Sequence, residues 1–436
     1  MKSISTLLQE INSLPKGDIY QKTIKGNVYY YHQYFEDGKR ITNKIADEQL
    51  NDLQIKIARR KELEKELKVI RLQDKGLVTL SKTARDLSGY VMSGNSVVAE
   101  FDHGQLVKMD EKRAPLIIKR THSLVSFLKT RVIDSSRVNS RLLKKALNIH
   151  EEEESFVSLF SYAQSISDNF WFKPKHSKVN YENVCFNNDI YFDIALKGDM
   201  SYFPSRHKIT PELTTVGSYE KGWKKIDSHW WLYKQGTKNE LFSELFSSAF
   251  AELMGINTVK YYYEGGFIKC QNFAEQYNFE PLISIAGDDD RFENTFPLLN
   301  KINPSFAVDF IKLLIFDCVV NNVDRHNENT GLLRDKKTGA IVALAPNFDN
   351  NLSLIGRSSS LNMNPKSDGL IKLFVSFLKK NKTAKEVFKN ISLKEIRKDD
   401  ITTLINTLPL DVSFNSSITD YVYKRYEYLR NLKTSF

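Results

Sequence analysis

Asn321-Asn322-Val323-Asp324-Arg325-His326-Asn327-Glu328-Asn329, followed by Ala345-Pro346-Asn347-Phe348-Asp349-Asn350-Asn351, decides how this chain is read. An Asp followed five positions later by an Asn, with a second Asp further on, is the set that phosphoryl transfer from a nucleotide requires. The first Asp orients and deprotonates an acceptor hydroxyl. The Asn and the later Asp hold the magnesium ions that neutralise charge between the phosphates. The spacing has a mechanical reason. A short loop turns the Asp toward the acceptor and the Asn back toward the metal, and a strand pair then brings the second Asp to the far side of the same ion. Asp324 is thus the candidate base, and Asn329 and Asp349 are the candidate metal ligands. Taken singly, each is ordinary: Asp and Asn are common turn formers, and His326 reads as a loop or core histidine as readily as an active-site one.

Working back along the chain, Trp230-Trp231-Leu232-Tyr233-Lys234 reads as a strand ending in a lysine. That lysine could anchor nucleotide phosphates. A helix is expected from about Asn239, with Glu240 and Glu244 one turn apart on one face. Either could pair with Lys234, and Glu240 is the preferred partner on sequence. Alone, Lys234 would read as an exposed strand-end lysine; its order ahead of a Glu-bearing helix and the Asp324 loop favours the functional reading. Before the strand lies Thr214-Thr215-Val216-Gly217-Ser218-Tyr219-Glu220-Lys221, where Gly217 permits a turn whose backbone N–H groups, with Ser218, could face phosphate oxygens. No Walker A loop occurs. Two strands, Val259–Tyr263 and Gly266–Phe273, are expected after the helix. The end of the second, near Gln271 and Phe273, is where backbone groups could read an adenine edge. Asp288-Asp289-Asp290 reads as a solvated acidic loop without calcium-loop spacing.

The N-terminal part has a different texture. Residues 18–45 predict a three-stranded meander, with turns at Lys25-Gly26-Asn27 and Glu36-Asp37-Gly38-Lys39. Tyr29 and Tyr31 should share one face, with Tyr30 and Tyr34 on the other. Residues 46–73 predict a helix with a heavily charged surface. This looks like an appended module, either a helix packed on a hairpin, a partner-binding helix, or a DNA contact. Short strands are expected at Val97–Phe101 and Gln105–Val107, and a basic helical stretch at Ser136–Leu147. Glu151 to Glu154 reads as an acidic loop or helix start. Beyond Pro304 the pattern is largely helical. The expected organisation is an N-terminal module over 1–75, a sheet-containing lobe with a preceding subdomain over 76–273, and a mostly helical lobe over 274–436. A cleft between two lobes is a common place for a ligand.

Composition narrows the class. With 436 residues, 41% hydrophobic and 12% aromatic, the chain can build more than one packed core. The net charge of +10 invites polyanions, although the lysines are spread along the chain. Three well-separated cysteines, Cys185, Cys270 and Cys318, argue against a disulfide framework or cysteine zinc site and fit a reducing cytoplasm. No stretch is apolar enough for a membrane span or a signal-peptide core.

The stretches Asn322–Asn329, Ala345–Asp349 and Gly217–Lys221, with the Lys234 strand and its helix, resemble those of the HipA-like serine/threonine kinases, bacterial enzymes known largely as toxins of toxin–antitoxin pairs. The resemblance runs from about Leu77 onward and is most specific between Pro211 and Leu354. It implies a two-lobed, protein-kinase-like α+β fold and an ATP- and Mg2+-dependent enzyme. Asp324 would be the base, His326 a support of its loop, Asn329 and Asp349 the metal ligands, and Lys234 a phosphate ligand. Family members often phosphorylate a serine of their own in the loop before the glycine; here Thr214 and Thr215 occupy that neighbourhood. A protein substrate such as an aminoacyl-tRNA synthetase, and a helix-turn-helix antitoxin that supplies DNA binding, are the implied partners. Two rivals stay open: a kinase-fold regulator that binds ATP without turnover, and a nucleic-acid-binding protein in which the lobes are a scaffold.

Overall fold

In the computed structural model the described residues are 4–24, 27–36, 39–74, 87–132, 139–146, 157–199, 212, 214–215, 219–356 and 361–436. The turn signals of the N-terminal sequence produce the expected meander, β1 (Asp18–Ile24), β2 (Asn27–Glu36) and β3 (Lys39–Lys44), paired antiparallel in the order β1-β2-β3. The helix Asp47–Asp74 follows, and a helix the sequence reading did not single out, Ile4–Ser13, packs on it. Leu7, Ile11, Leu63 and Leu67 form a small core between these two helices. Arg60 closes it by donating to the carbonyls of Ile11 and Leu14, at 2.6 and 2.7 Å, which satisfies the end of the first helix.

A second antiparallel sheet has the order β6-β5-β4-β7. Its members are β4 (Gly89–Ser93), β5 (Ser96–Asp102), β6 (Gln105–Met109) and β7 (Phe170–Pro174). The sequence reading anticipated β5 and β6 and missed the other two. The miss has a physical source: Phe170-Trp171-Phe172 are all buried, so β7 carries no polar alternation to mark it. The basic stretch near Ser136 contributes a helix at Ser140–Ala146, and Glu151 to Glu154 lie outside the described residues.

The expected two-lobed α+β architecture occupies the rest of the chain. One lobe holds a sheet of order β10-β11-β9-β8, built from β8 (Lys221–Ile226), β9 (His229–Lys234), β10 (Tyr262–Glu264) and β11 (Phe267–Gln271). The helix Lys238–Met254 sits between β9 and β10. It starts at a capping box, Thr237 with Glu240, and stops at Gly255, whose φ of +75° favours a residue without Cβ. The other lobe is built on Pro304–Val320, capped by Asn303 with proline at its first position. Twelve of its seventeen residues are buried, so its apolar run is a core helix. No helix of the described residues is long and apolar enough to cross a membrane. Helices Gly369–Lys380, Lys382–Asn390 and Asn415–Ser435 pack around it, and Lys398–Thr407 packs on Asn415–Ser435 and Lys238–Met254, with Phe374, Phe377, Phe388, Tyr421 and Tyr426 all buried. Each such side chain contributes roughly 1.5–3 kcal/mol by leaving water.

A hairpin, β13 (Gly331–Asp335) with β14 (Ile341–Leu344), joined by β12 (Tyr277–Pro281), connects the Asp324 loop to Asp349. The strand pair expected between the two Asp residues is therefore present. Buried Glu280 and Arg334, on β12 and β13, bond to each other. They also fasten the preceding subdomain: Glu280 accepts from Leu116 N at 2.5 Å, and Arg334 donates to the carbonyls of Ala114 and Lys112 at 3.0 and 2.6 Å. Removing one partner of such a pair strands the other charge in a dry site. Arg334→Ala should lower unfolding stability by about 3–5 kcal/mol, read from the denaturant midpoint. A loss below about 1 kcal/mol, the value of an exposed pair, would mean the subdomain is fastened by other means.

Candidate functional site

Cross-strand register places Lys221 of β8 directly opposite Lys234 of β9, so both side chains leave the same face of the sheet. Both are buried, and both meet Asp349. Lys234 Nζ lies 2.8 Å from Asp349 Oδ1, and Lys221 Nζ lies 3.3 Å from Oδ2. Lys234 also lies 3.3 Å from Glu244 Oε2, donates to the Tyr261 hydroxyl at 3.1 Å, and sits over the Tyr261 ring at 5.0 Å. Glu244 is fully buried, and its second oxygen accepts from the backbone N–H of Asn350 at 2.9 Å. One carboxylate thus joins the helix Lys238–Met254, the strand lysine and the segment carrying Asp349.

The electrostatics follow from that packing. Burial opposes a charge on Lys234, but Asp349 and Glu244 hold its ammonium well above the ordinary lysine value. Burial likewise opposes ionisation of Asp349, and Lys221 and then Lys234 overcome it, holding the carboxyl well below the usual carboxylate range. Asp349 adopts φ +59°, a left-handed conformation that Asp and Asn tolerate better than most side chains.

Asp324 and Asn329 close a single turn. The Asn329 side-chain amide donates to the Asp324 carbonyl at 3.1 Å, and Asn329 N donates to the His326 carbonyl at 3.0 Å. The residue that holds this turn in place is Arg325. Its Nε and Nη2 grip buried Asp317, at 3.0 Å each. Nη1 donates to the carbonyls of Asn329 and Phe348, at 2.8 and 3.1 Å. Nη2 also reaches Asn347 Oδ1 and Asn350 Oδ1, at 2.7 and 2.8 Å. One guanidinium therefore ties the backbone of Asn329 to the backbone just before Asp349. From the other side, Tyr219 donates to Glu240; burial, that bond, and the charges of Glu240, Asp324 and Asp349 push its hydroxyl up. Tyr219 thus bonds Glu240 and lies within the field of Asp324 and Asp349.

Two sequence expectations change. Glu240 does not pair with Lys234; Glu244 does. Glu240 sits at the third helical position, where its Oε2 accepts from Thr237 N and Oγ1, at 2.7 and 2.9 Å. Thr237-x-x-Glu240 is a capping-box pattern, and that signal could have assigned Glu240 to the helix end. The support expected of His326 falls mainly to Arg325: His326 is partly exposed, and its Nδ1 accepts only from Glu328 N, at 3.2 Å. Lys221, although quoted within a motif, was not singled out. Nor was Asp290, which accepts from Asn327 N at 2.7 Å and so pins the Asp324 loop rather than lying idle in solvent.

The remaining candidates are placed as follows. Phe273 stacks on Phe279 and Phe348, with ring centroids 5.4 Å away in both cases, so it touches the residue before Asp349. Gln271 lies on the exposed side of β11, 3.1 Å from His229. Thr214 and Thr215 both donate their hydroxyls to Glu212. Gly217 and Ser218 lie outside the described residues. Among the described residues no group of three or more His, Cys, Asp or Glu side chains could hold a metal. Asn329 and Asp349 nevertheless offer hard oxygen donors, which suits magnesium, an ion usually held by one or two protein ligands plus substrate phosphates.

No family model and no curated protein sequence matches the chain. Among solved structures it is similar to the Helicobacter pylori proinflammatory kinase CtkA, with 18% identity and a TM-score of 0.39, over 50% of this chain and 95% of that one. It is also similar to HipA from a Shewanella oneidensis MR-1 toxin–antitoxin complex of HipA, HipB and operator DNA, with 12% identity and a TM-score of 0.48, over 79% of this chain and 97% of that one. Both likenesses are distant.

Two measurements check the geometry. A guanidinium has five N–H donors and an ammonium three, so Arg325→Lys cannot make both bonds to Asp317 and also reach both carbonyls. It should lose about 2–4 kcal/mol of stability in denaturant titration, close to the loss in Arg325→Ala; full stability in the lysine variant would remove Arg325 from this role. Because the folded value of Asp349 is depressed, its stabilisation is complete above about pH 4 and drains away as pH falls toward that value. The stability gap between the wild type and Asp349→Asn should be flat near neutrality and narrow below about pH 4. A gap that persists unchanged in acid would show that the lysines do not act on this carboxylate.

Proposed function

We propose that this chain is an ATP- and Mg2+-dependent serine/threonine protein kinase of the HipA-like type. One observation carries the reading: Asp349 and Glu244 with Lys234 and Lys221 form a single charge-balanced cluster, and Arg325 ties it to the loop bearing Asp324 and Asn329. A lysine held by a helix glutamate, a loop Asp with an Asn five residues on, and a later Asp are the recurring parts of kinase sites. Structural ion-pair networks also perturb titration, but in this one Arg325 joins the backbone of the Asp324 loop to the backbone just before Asp349.

In this reading Lys234, steadied by Glu244, reaches the nucleotide phosphates. Asn329 and Asp349 would hold magnesium, whose chemistry is to neutralise charge building between the phosphates. Asp324 orients the acceptor hydroxyl and takes its proton as the oxygen bonds to the terminal phosphorus and ADP leaves. Phe273 and Gln271 border the adenine end. Positioning and preset charge supply most of the acceleration in this class of reaction. The protein acceptor, an aminoacyl-tRNA synthetase or another translation component, and a helix-turn-helix antitoxin partner are carried by the sequence resemblance.

The test is transfer from labelled ATP to proteins of a cell lysate, beside direct nucleotide binding. Asp324→Asn should lose about 10²–10⁴-fold in transfer while still binding ATP, because only the proton acceptor is gone. Equal labelling by wild type and variant would remove Asp324 from the base role. Nucleotide binding without transfer in the wild type, under any lysate, would favour the regulator instead.

A further inference from the structure

The N-terminal sheet is unusual in having no core. None of the described residues of β1, β2 and β3 is buried. Register sorts the side chains of one face: Tyr20 opposes Tyr31, Tyr31 opposes Lys44, Lys22 opposes Tyr29, Gln33 opposes Thr42 and Phe35 opposes Arg40. This face therefore carries three cations, a row of aromatic rings, an amide–hydroxyl pair and, opposite Gln33, one carboxylate, Asp18.

The cations on this face differ from those on the helix beside it. On Asp47–Asp74, Lys56 is paired with Asp52, Arg60 with Glu64, and Lys61 with Asp18, at 2.7, 2.8 and 2.5 Å. Arg59 is paired with both Glu10 and Glu62. Lys22, Arg40 and Lys44 have no carboxylate partner among the described residues. Lys44 lies over the Tyr29 ring at 4.0 Å, and Arg40 donates to Gln33, which donates in turn to Thr42. These four helix cations are paired, Lys61 taking the sheet's Asp18, and the sheet face is left positive, so the complementary occupant is a polyanion.

We infer that this face of the N-terminal sheet docks into the major groove of duplex DNA. Three strands at roughly 4.8 Å spacing span about 10 Å, which fits a groove about 12 Å wide. The deep, narrow major groove of an RNA duplex would not admit it. Single strands are read by bases stacking on open aromatic faces. Here Tyr20 and Tyr31 stack on each other, at 5.6 Å, and Lys44 covers Tyr29, so each of the three tyrosines already has an occupied face. Lys22 and Lys44 stand at opposite edge strands, where the phosphates of the two groove walls would lie. Arg40, Gln33 and Thr42 form the polar ladder available to base edges, where Arg favours guanine and Gln favours adenine. The interaction is independent of phosphoryl transfer.

The test uses the full chain and a labelled mixed-sequence DNA duplex of about two helical turns, followed by fluorescence anisotropy from about 50 to 200 mM salt. Binding should weaken steeply with salt, and Lys22→Ala/Lys44→Ala should flatten the slope of log K against log salt by about 2. Arg40→Ala should weaken binding and relax any preference among duplexes. Lys44→Glu, a surface change that leaves the strand intact, should abolish binding. Circular dichroism should show every variant folded, and transfer from ATP should be unchanged in all of them, while Asp324→Asn should bind DNA as wild type does. Absent or salt-insensitive binding would overturn the assignment. So would wild-type DNA affinity in the double variant, or tighter binding of the matching single strand or RNA duplex.

Discussion

A single guanidinium sets the shape of this site. Arg325 cannot lose its proton, and burying it without partners would cost several kcal/mol. The surrounding chain answers with a two-pronged grip by Asp317 and with four further acceptors: two backbone carbonyls and two asparagine amides. The acceptors come from a helix, the loop after it, and the segment after the β13–β14 hairpin. Satisfying the arginine forces those three pieces of chain together. Asn322 completes the arrangement by donating to both Asp317 and Asn350, at 3.1 Å each. The residues with direct chemical interest are carried along by this framework.

The opposing half of the site works by charge balance. Two lysines face two carboxylates in a volume largely closed to water, where Coulomb attraction is strong and desolvation is costly. Such an arrangement is costly for stability alone, because apolar residues of similar volume would usually do as well. Its retention makes sense if the cations and Asp349 exchange partners when a polyphosphate and its metal enter.

How much of this was legible in the sequence differs from residue to residue. The order of lysine strand, glutamate helix and Asp324–Asn329–Asp349 could be read because each carries a spacing rule. The choice between Glu240 and Glu244 could not be made by helical face, since both lie on one; it depended on which glutamate the helix end consumes. Arg325 was hidden because an arginine in a polar loop looks like solvent-facing charge, and only the fold shows its acceptors converging. Lys221 was hidden for a related reason: its partner lies 128 positions away. Strands β4 and β7 escaped because buried strands lose the alternation that betrays them, whereas the exposed N-terminal meander kept its turn residues and was read nearly to the residue.

The final helix reaches into this arrangement from behind. Arg425, fully buried, donates to the Cys318 carbonyl at 2.6 Å, to Asp368 at 2.8 Å and to the Asn321 side chain at 3.4 Å, so it clasps the end of the helix from which the Asp324 loop departs. A binding protein that grasped Asn415–Ser435 and tilted it would tug that clasp, and the loop would feel the pull without the Asp349–Lys234 cluster being touched. The chain therefore contains a remote handle, and a surface far from the chemistry becomes a sensible target for an inhibitor.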